Sequence, residues 1–225
     1  LLFDVIIVSL LLGVVLGFAW LTKSPALYFI VLSFLTFVIY NPKNFKKIYY
    51  PLISAFIAFC IYNILRLGPS FSQIALRNKD YVWTLSEILK HPLDPLIPHF
   101  RDILNIFSFY LSKPLLLSPL LIIFFRKKIK FDRIFLIYIA WFFLPLIANA
   151  AMAKVFTARY ILFSLPSLIL ILSYFLKAFF NKKYFYFLLI IFIPNLWRIS
   201  QISLRPADLS LPGTETGYVS GWTSG

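Results

Sequence analysis

The sequence predicts an all-α fold, a polytopic transmembrane helix bundle, and three observations carry that prediction. The 225 residues are 61% hydrophobic and only 13% charged, with a mean hydropathy of +0.87. Apolar runs of helix length recur from the first residue almost to the last, and the cations gather in alternate gaps between them. A water-soluble domain carries about 25% charged residues, and half that share leaves too little polar surface to cover a globule, which excludes a soluble domain. The Phe, Ile and Leu content excludes disorder, and 7 Gly with 14 Pro exclude collagen-like or low-complexity sequence. A net charge of +14 would suggest nucleic acid in a soluble chain; here its distribution points to the bilayer, with no nucleic-acid partner.

A spanning helix needs about 20 mostly apolar residues. Seven stretches qualify or nearly do: 1–21, 25–40, 51–67, 103–125, 134–149, 158–176 and 184–197. The fourth is interrupted by Lys113-Pro114 and the last is short. Pro119, Pro145 and Pro166 fall inside spans, where neighbouring helices re-satisfy the carbonyls that proline frees, so they read as kinks. The single cysteine, Cys60, has no intrachain disulfide partner and is expected to pack as a small hydrophobe. The chain opens inside an apolar run without a basic leader, which reads as an internal piece of a longer protein and not as a signal peptide.

The gap after the second span holds Lys43, Lys46 and Lys47; the next basic gap holds Arg126, Lys127, Lys128, Lys130 and Arg133; the third holds Lys177, Lys182 and Lys183. On that side the acids are Asp4 and Asp132. Short loops rich in Lys and Arg stay cytoplasmic, so these clusters read as topology signals. Residues 22–24, 68–102, 150–157 and the tail from Arg198 then face outward.

The long outward loop, 68–102, invites a functional reading, since long connections in a compact fold seldom lack one. Trp83, Leu85, Ile88 and Leu89 form a short apolar face, and Thr84-Leu85-Ser86-Glu87 fits a capping box. His91-Pro92 ends that helix. With Tyr81 and Trp83 beside it, the helix is expected to lie along the outer interface. The Pro-rich stretch that follows, 91–99, suits a wall or gate. Arg77, Asp80, Tyr81, His91, His99 and Arg101 are candidate loop or acceptor contacts, set against a plain solvated turn at 77–81 and a helix cap at Arg101 and Asp102. His91, Asp94, His99 and Asp102 match no compact metal-ligand spacing, so no metal site is expected. The sequence has no Walker loop, nucleophile elbow, zincin motif or dinucleotide fingerprint.

The informative cations lie outside the inner clusters. Lys23 precedes Ser24-Pro25, which reads as an N-cap with proline at the first helical position. Lys154 and Arg159 flank Thr157, read as the cap of the sixth span. A cation at a helix N-terminus is disfavoured by the macrodipole, by a few tenths to about 1 kcal/mol. A bound anion reverses that sign, and at this depth the natural anion is a lipid phosphate. The alternative is simple anchoring, since Lys23 also follows a helix C-terminus and long basic side chains snorkel to headgroups.

Two segments carry a resemblance. Gly13-Val14-Val15-Leu16-Gly17-Phe18-Ala19-Trp20-Leu21-Thr22-Lys23-Ser24-Pro25 resembles the Gly-x-x-x-Gly-x-Ala-x-Leu-Thr-Lys-Gly-Pro stretch of bacterial GT-C class membrane glycosyltransferases, with Ser24 in place of Gly. That group includes the protein O-mannosyltransferases and the lipid A aminoarabinose transferase. Leu144-Pro145, Ala153-Lys154 and Arg159-Tyr160-Ile161-Leu162 followed by Pro166 resemble a second stretch of the same enzymes. The resemblance covers about 1–197. It implies that this range is the C-terminal part of a GT-C-like transmembrane domain, with 198–225 an outward tail. It further implies a transferase, mannosyltransferase-like, that moves a sugar from a polyprenyl-phosphate donor to a protein, lipid or glycan acceptor at the outer face of the plasma or inner membrane, without a cofactor. Lys23, Lys154, Arg159 and Tyr160 are the positions that match its donor-phosphate contacts. The group's catalytic base lies in an outer loop that would precede Leu1, so this chain alone is expected to be inactive. The competing expectations are a transporter or flippase for a lipid-linked or anionic solute and a non-enzymatic scaffold subunit.

Overall fold

The structure, a computed structural model, describes residues 2–43, 45–111, 113–117, 131–154, 156–178 and 182–204. Among these residues every regular element is helical; the sole extended pairing is an isolated bridge between Val82 and Ala153. The helices are α1 (Leu2–Thr22), α2 (Leu27–Tyr40), α3 (Tyr49–Asn63), α4 (Phe71–Tyr81), α5 (Leu85–Lys90), α6 (Leu96–Tyr110), α7 (Lys113–Leu117), α8 (Arg133–Met152), α9 (Leu165–Ala178) and α10 (Lys182–Leu204). Among the described residues three segments are long and apolar enough to cross a membrane: Val5–Thr22 on α1, Lys46–Leu67 around α3, and Arg133–Met152, which is α8. Ser24–Tyr40 and Leu165–Tyr174 are apolar but shorter.

Where the remaining expected spans fall short, the reason is local. The fourth stretch, 103–125, begins inside α6, which ends at Tyr110, and residues 118–130, with Pro119 and the cations Arg126, Lys127, Lys128 and Lys130, lie outside the described residues. The sixth is α-helical only from Leu165, because Ala158–Tyr160 is a 3-10 turn. Pro166 thus falls in the first turn of α9, where its missing N–H costs nothing. Pro145 does sit inside α8 without ending it. α10 continues past Trp197 to Leu204, so Arg198 is a helix residue and not the start of a tail; its guanidinium lies 4.4 Å over the Phe109 ring and its Nε donates to the Phe109 carbonyl. The tail beyond Leu204 lies outside the described residues.

The segment 68–102 is not the loop expected, since most of it is helical. Phe71–Tyr81 contains no Gly or Pro and several good helix formers, so the run Arg77 to Tyr81 closes α4 and is not a solvated turn. The Pro-rich stretch starts a helix, because Pro98 falls in the first turn of α6, where backbone donors have no intrahelical partner anyway. Arg101 and Asp102 are therefore exposed residues within α6, not a cap.

The chain forms two compact units, Leu1–Asp80 with Asp132–Trp141, and Tyr81–Phe131 with Phe142–Gly225. In the first, α1 lies against α3 at very short range. A Cβ on Gly13 would stand 2.8 Å from the Ser54 carbonyl oxygen, and one on Gly17 2.8 Å from Ile61 Cβ. Ser54 Oγ donates to the Ser9 carbonyl across this seam at 2.8 Å, and Trp20 stacks on Tyr62. Cys60 is exposed on α3, contrary to expectation, since the packed side of that helix is the Ser54–Ala58 side. The second unit is built around Ile103, Ile106, Phe107, Leu146, Ala150, Phe156, Ile161 and Leu168.

Candidate functional site

The C-terminal end of α8 organises the second unit's polar cluster. A helix leaves its last carbonyls without partners, and here other segments supply the donors. The Trp83 N–H donates to the Met152 carbonyl at 2.8 Å, and His99 Nδ1 lies 2.7 Å from the Ala150 carbonyl. The Lys154 N–H donates to the Tyr81 carbonyl at 2.9 Å instead of continuing the helix. A carbonyl partner makes His99 Nδ1 the protonated nitrogen and leaves Nε2 the acceptor in the neutral ring. The His99 ring is buried beside Phe156, with ring centroids 5.3 Å apart.

This strapping shapes a cavity of about 380 Å³ lined by Trp83, Glu87, Ile88, Lys90, His91, Asp94, Pro95, Pro98, His99 and Lys154. The Lys154 ammonium stands 5.1 Å over the centre of the Trp83 ring. Opposite charge is nearby. The capping box predicted at α5 is present: Glu87 Oε2 accepts from the Thr84 N–H at 2.8 Å and from Thr84 Oγ1 at 2.6 Å. These Thr84 hydrogen bonds hold the Glu87 carboxyl below the usual carboxylate range, with a smaller pull from Lys154 and Lys90. His91 caps the end of α5 and its Nδ1 lies 3.4 Å from Asp94 Oδ2, both exposed. Among the described residues no three His, Cys, Asp or Glu side chains group as metal ligands.

Of the residues matched to a donor phosphate, Lys154 alone lines the cavity. Arg159 is exposed in the 3-10 turn and its Nε donates to Thr157 Oγ1 at 3.1 Å. Thr157, expected to cap a helix, makes no side-chain capping bond and instead accepts from Arg159. Tyr160 is partly buried against the core, its ring 5.8 Å from Phe156. Lys23 belongs to the first unit. It is itself the extended N-cap residue of the short turn Ser24–Ala26, one position before the expected cap Ser24, and its N–H closes α1 on the Ala19 carbonyl. Of the loop candidates, His91 and His99 line the cavity, the Tyr81 carbonyl anchors Lys154, and Arg77, Asp80 and Arg101 are carried on α4 and α6.

Two features escaped sequence reasoning. The strap from Tyr81–Trp83 to Met152–Lys154 joins residues about seventy apart and leaves no periodic signal. Gly13 and Gly17, which contribute to the resemblance, also have a packing cause, the close seam of α1 on α3, and their four-residue spacing is the signal that would have found it. Comparison of the chain with known protein families, with curated proteins and with solved structures finds no match.

Proposed function

We propose that the chain is the donor-binding part of a multi-pass membrane glycosyltransferase that takes its sugar from a polyprenyl phosphate at the outer membrane face. In this reading Lys154 contacts the donor phosphate, Arg159 adds positive potential from the adjacent turn, and the cavity beside Trp83 takes the sugar. Sugar transfer breaks the bond between the anomeric carbon and the phosphate oxygen, joins that carbon to the oxygen of an acceptor hydroxyl whose proton passes to water, and leaves negative charge on the departing phosphate. A fixed ammonium in a largely apolar cleft stabilises that charge more in the transition state than in the bound donor.

The observation that carries the proposal is the placement of Lys154: one residue beyond an isolated bridge, at the end of an apolar helix of membrane-spanning length, in the wall of a cavity large enough for a sugar phosphate. The charges of the three membrane-length segments support surface chemistry over passage of a solute, for Lys46, Lys47, Arg66 and Arg133 all fall in a first or last turn.

The test is binding of polyprenyl phosphate to the full chain in lipid nanodiscs. Lys154→Gln is expected to weaken it about tenfold, the scale of one charge-assisted hydrogen bond, and to leave the weaker retention of the phosphate-free polyprenyl alcohol unchanged. Equal phosphate binding by both proteins overturns the assignment.

A further inference from the structure

A second cavity, of about 470 Å³, belongs wholly to the first unit, among α1, α2, α3 and Trp141 of α8. Its serine and threonine hydroxyls are already engaged. Ser9 donates to the Val5 carbonyl, Ser54 to the Ser9 carbonyl and Ser33 to the Ile30 carbonyl, while Thr36 Oγ1 accepts from Trp141 Nε1 at 2.7 Å. The walls therefore offer hydrocarbon and hardly any unsatisfied polar group, the condition under which a cavity excludes water. α1, α3 and α8, the helices of membrane-spanning length, each contribute to its lining.

One end of this cavity is different. Tyr40, Asn41 and Tyr50 line it there. Lys43 follows Asn41 by two residues, and Lys46 and Lys47 occupy the turn leading into α3; all three are exposed. Arg133 Nη1 donates to the Tyr40 carbonyl at 3.1 Å, which fixes a fourth cation at the same end. The neighbouring acid, Asp132, caps α8 by accepting from the Phe135 N–H.

We infer that this cavity holds an acyl chain of an anionic phospholipid whose phosphate is neutralised by Lys43, Lys46, Lys47 and Arg133. The inference rests on placing α1, α3 and α8 in a bilayer and is independent of glycosyl transfer. Charge decides the class of lipid. A zwitterionic headgroup brings its own cation to a basic cluster, whereas a net anion gains from each lysine and arginine near it.

The experiment reconstitutes the full chain with equal amounts of phosphatidylglycerol and phosphatidylcholine of identical acyl chains, extracts it gently and counts retained lipid by native mass spectrometry. Phosphatidylglycerol is expected to be retained about tenfold over phosphatidylcholine. The combined variant Lys46→Gln, Lys47→Gln, Arg133→Gln is expected to bring the ratio near parity at unchanged helicity. Parity in the wild type, or an unchanged ratio in the variant, overturns the headgroup assignment. The chain's location is read separately with phosphatidylglycerol brominated on its acyl chain: quenching of a tryptophan component that vanishes in Trp141→Phe supports insertion, and quenching unaltered by that substitution overturns it. Because Lys154 plays no part in either readout, failure here leaves polyprenyl-phosphate binding to be judged on its own test.

Discussion

Lys154 and Trp83 are held face to face by their backbones before their side chains meet: the Lys154 N–H reaches the Tyr81 carbonyl, the Trp83 N–H reaches the Met152 carbonyl, and the ammonium then stands 5.1 Å over the indole. An ammonium over an indole face is worth about 0.5–1 kcal/mol where water has access. Trp83→Leu is expected to lower the melting temperature in detergent slightly and to mobilise Lys154, seen as reduced protection of its amide from hydrogen exchange. Unchanged protection would show that the strap alone positions the lysine.

His99 supplies the α8 carbonyl of Ala150 with a donor from inside the core. His99→Phe keeps the ring contact with Phe156 but orphans that carbonyl, at a cost of about 1–3 kcal/mol. The expected result is a clear loss of thermal stability, with His99→Asn recovering part of it through its side-chain N–H; equal stability of the Phe variant and the wild type would contradict the bond.

Glu87 titrates below the usual carboxylate range because Thr84 donates to its charged form. A folded value below the unfolded one, about 4.3, means that this carboxylate's stabilisation of α5 is fully present above the unfolded value and is lost as pH falls through the lowered folded value. Titration of the Glu87 carboxyl carbon by NMR is expected to show the low midpoint, and Thr84→Val to move it back toward the ordinary range. A wild-type midpoint already in that range would refute the pairing.

Ser164 Oγ is buried with no hydrogen-bond partner. Its place just before α9 would suit a capping bond, yet Pro166 removes one of the two donors it could serve. Ser164→Ala is expected to leave stability unchanged or raise it by about 1 kcal/mol. A fall of several degrees in melting temperature would reveal a partner for the hydroxyl.

What was legible in the chain was what is decided locally. The capping box at Thr84 and Glu87 and the helix end at His91 depend on residues within one turn, and both are present. Apolar runs announce long apolar helices for the same reason. Proline was harder, because its meaning depends on where a helix begins: Pro98 does line a cavity wall, but from the first turn of α6, and Pro166 starts α9 where it was read as a kink. Thr157 has a capping residue's composition but spends its hydroxyl on Arg159. Of the site, Lys154, Tyr81, His91 and His99 were legible one by one as candidate contacts, but their convergence with Trp83 and Met152 was not, because these residues come from segments far apart along the chain and no spacing encodes their meeting.

The contact of α1 with α3 also bears on how the chain matures. Once two helices are inserted, lipid surrounds both equally and apolar side chains gain nothing by meeting, so recognition falls to shape and to polar groups that reach across. The notch at Gly13 and Gly17 and the serine that bridges it provide both. If α1 and α3 cross a bilayer, as their length and apolar character allow, they can recognise each other as soon as the second of them enters it.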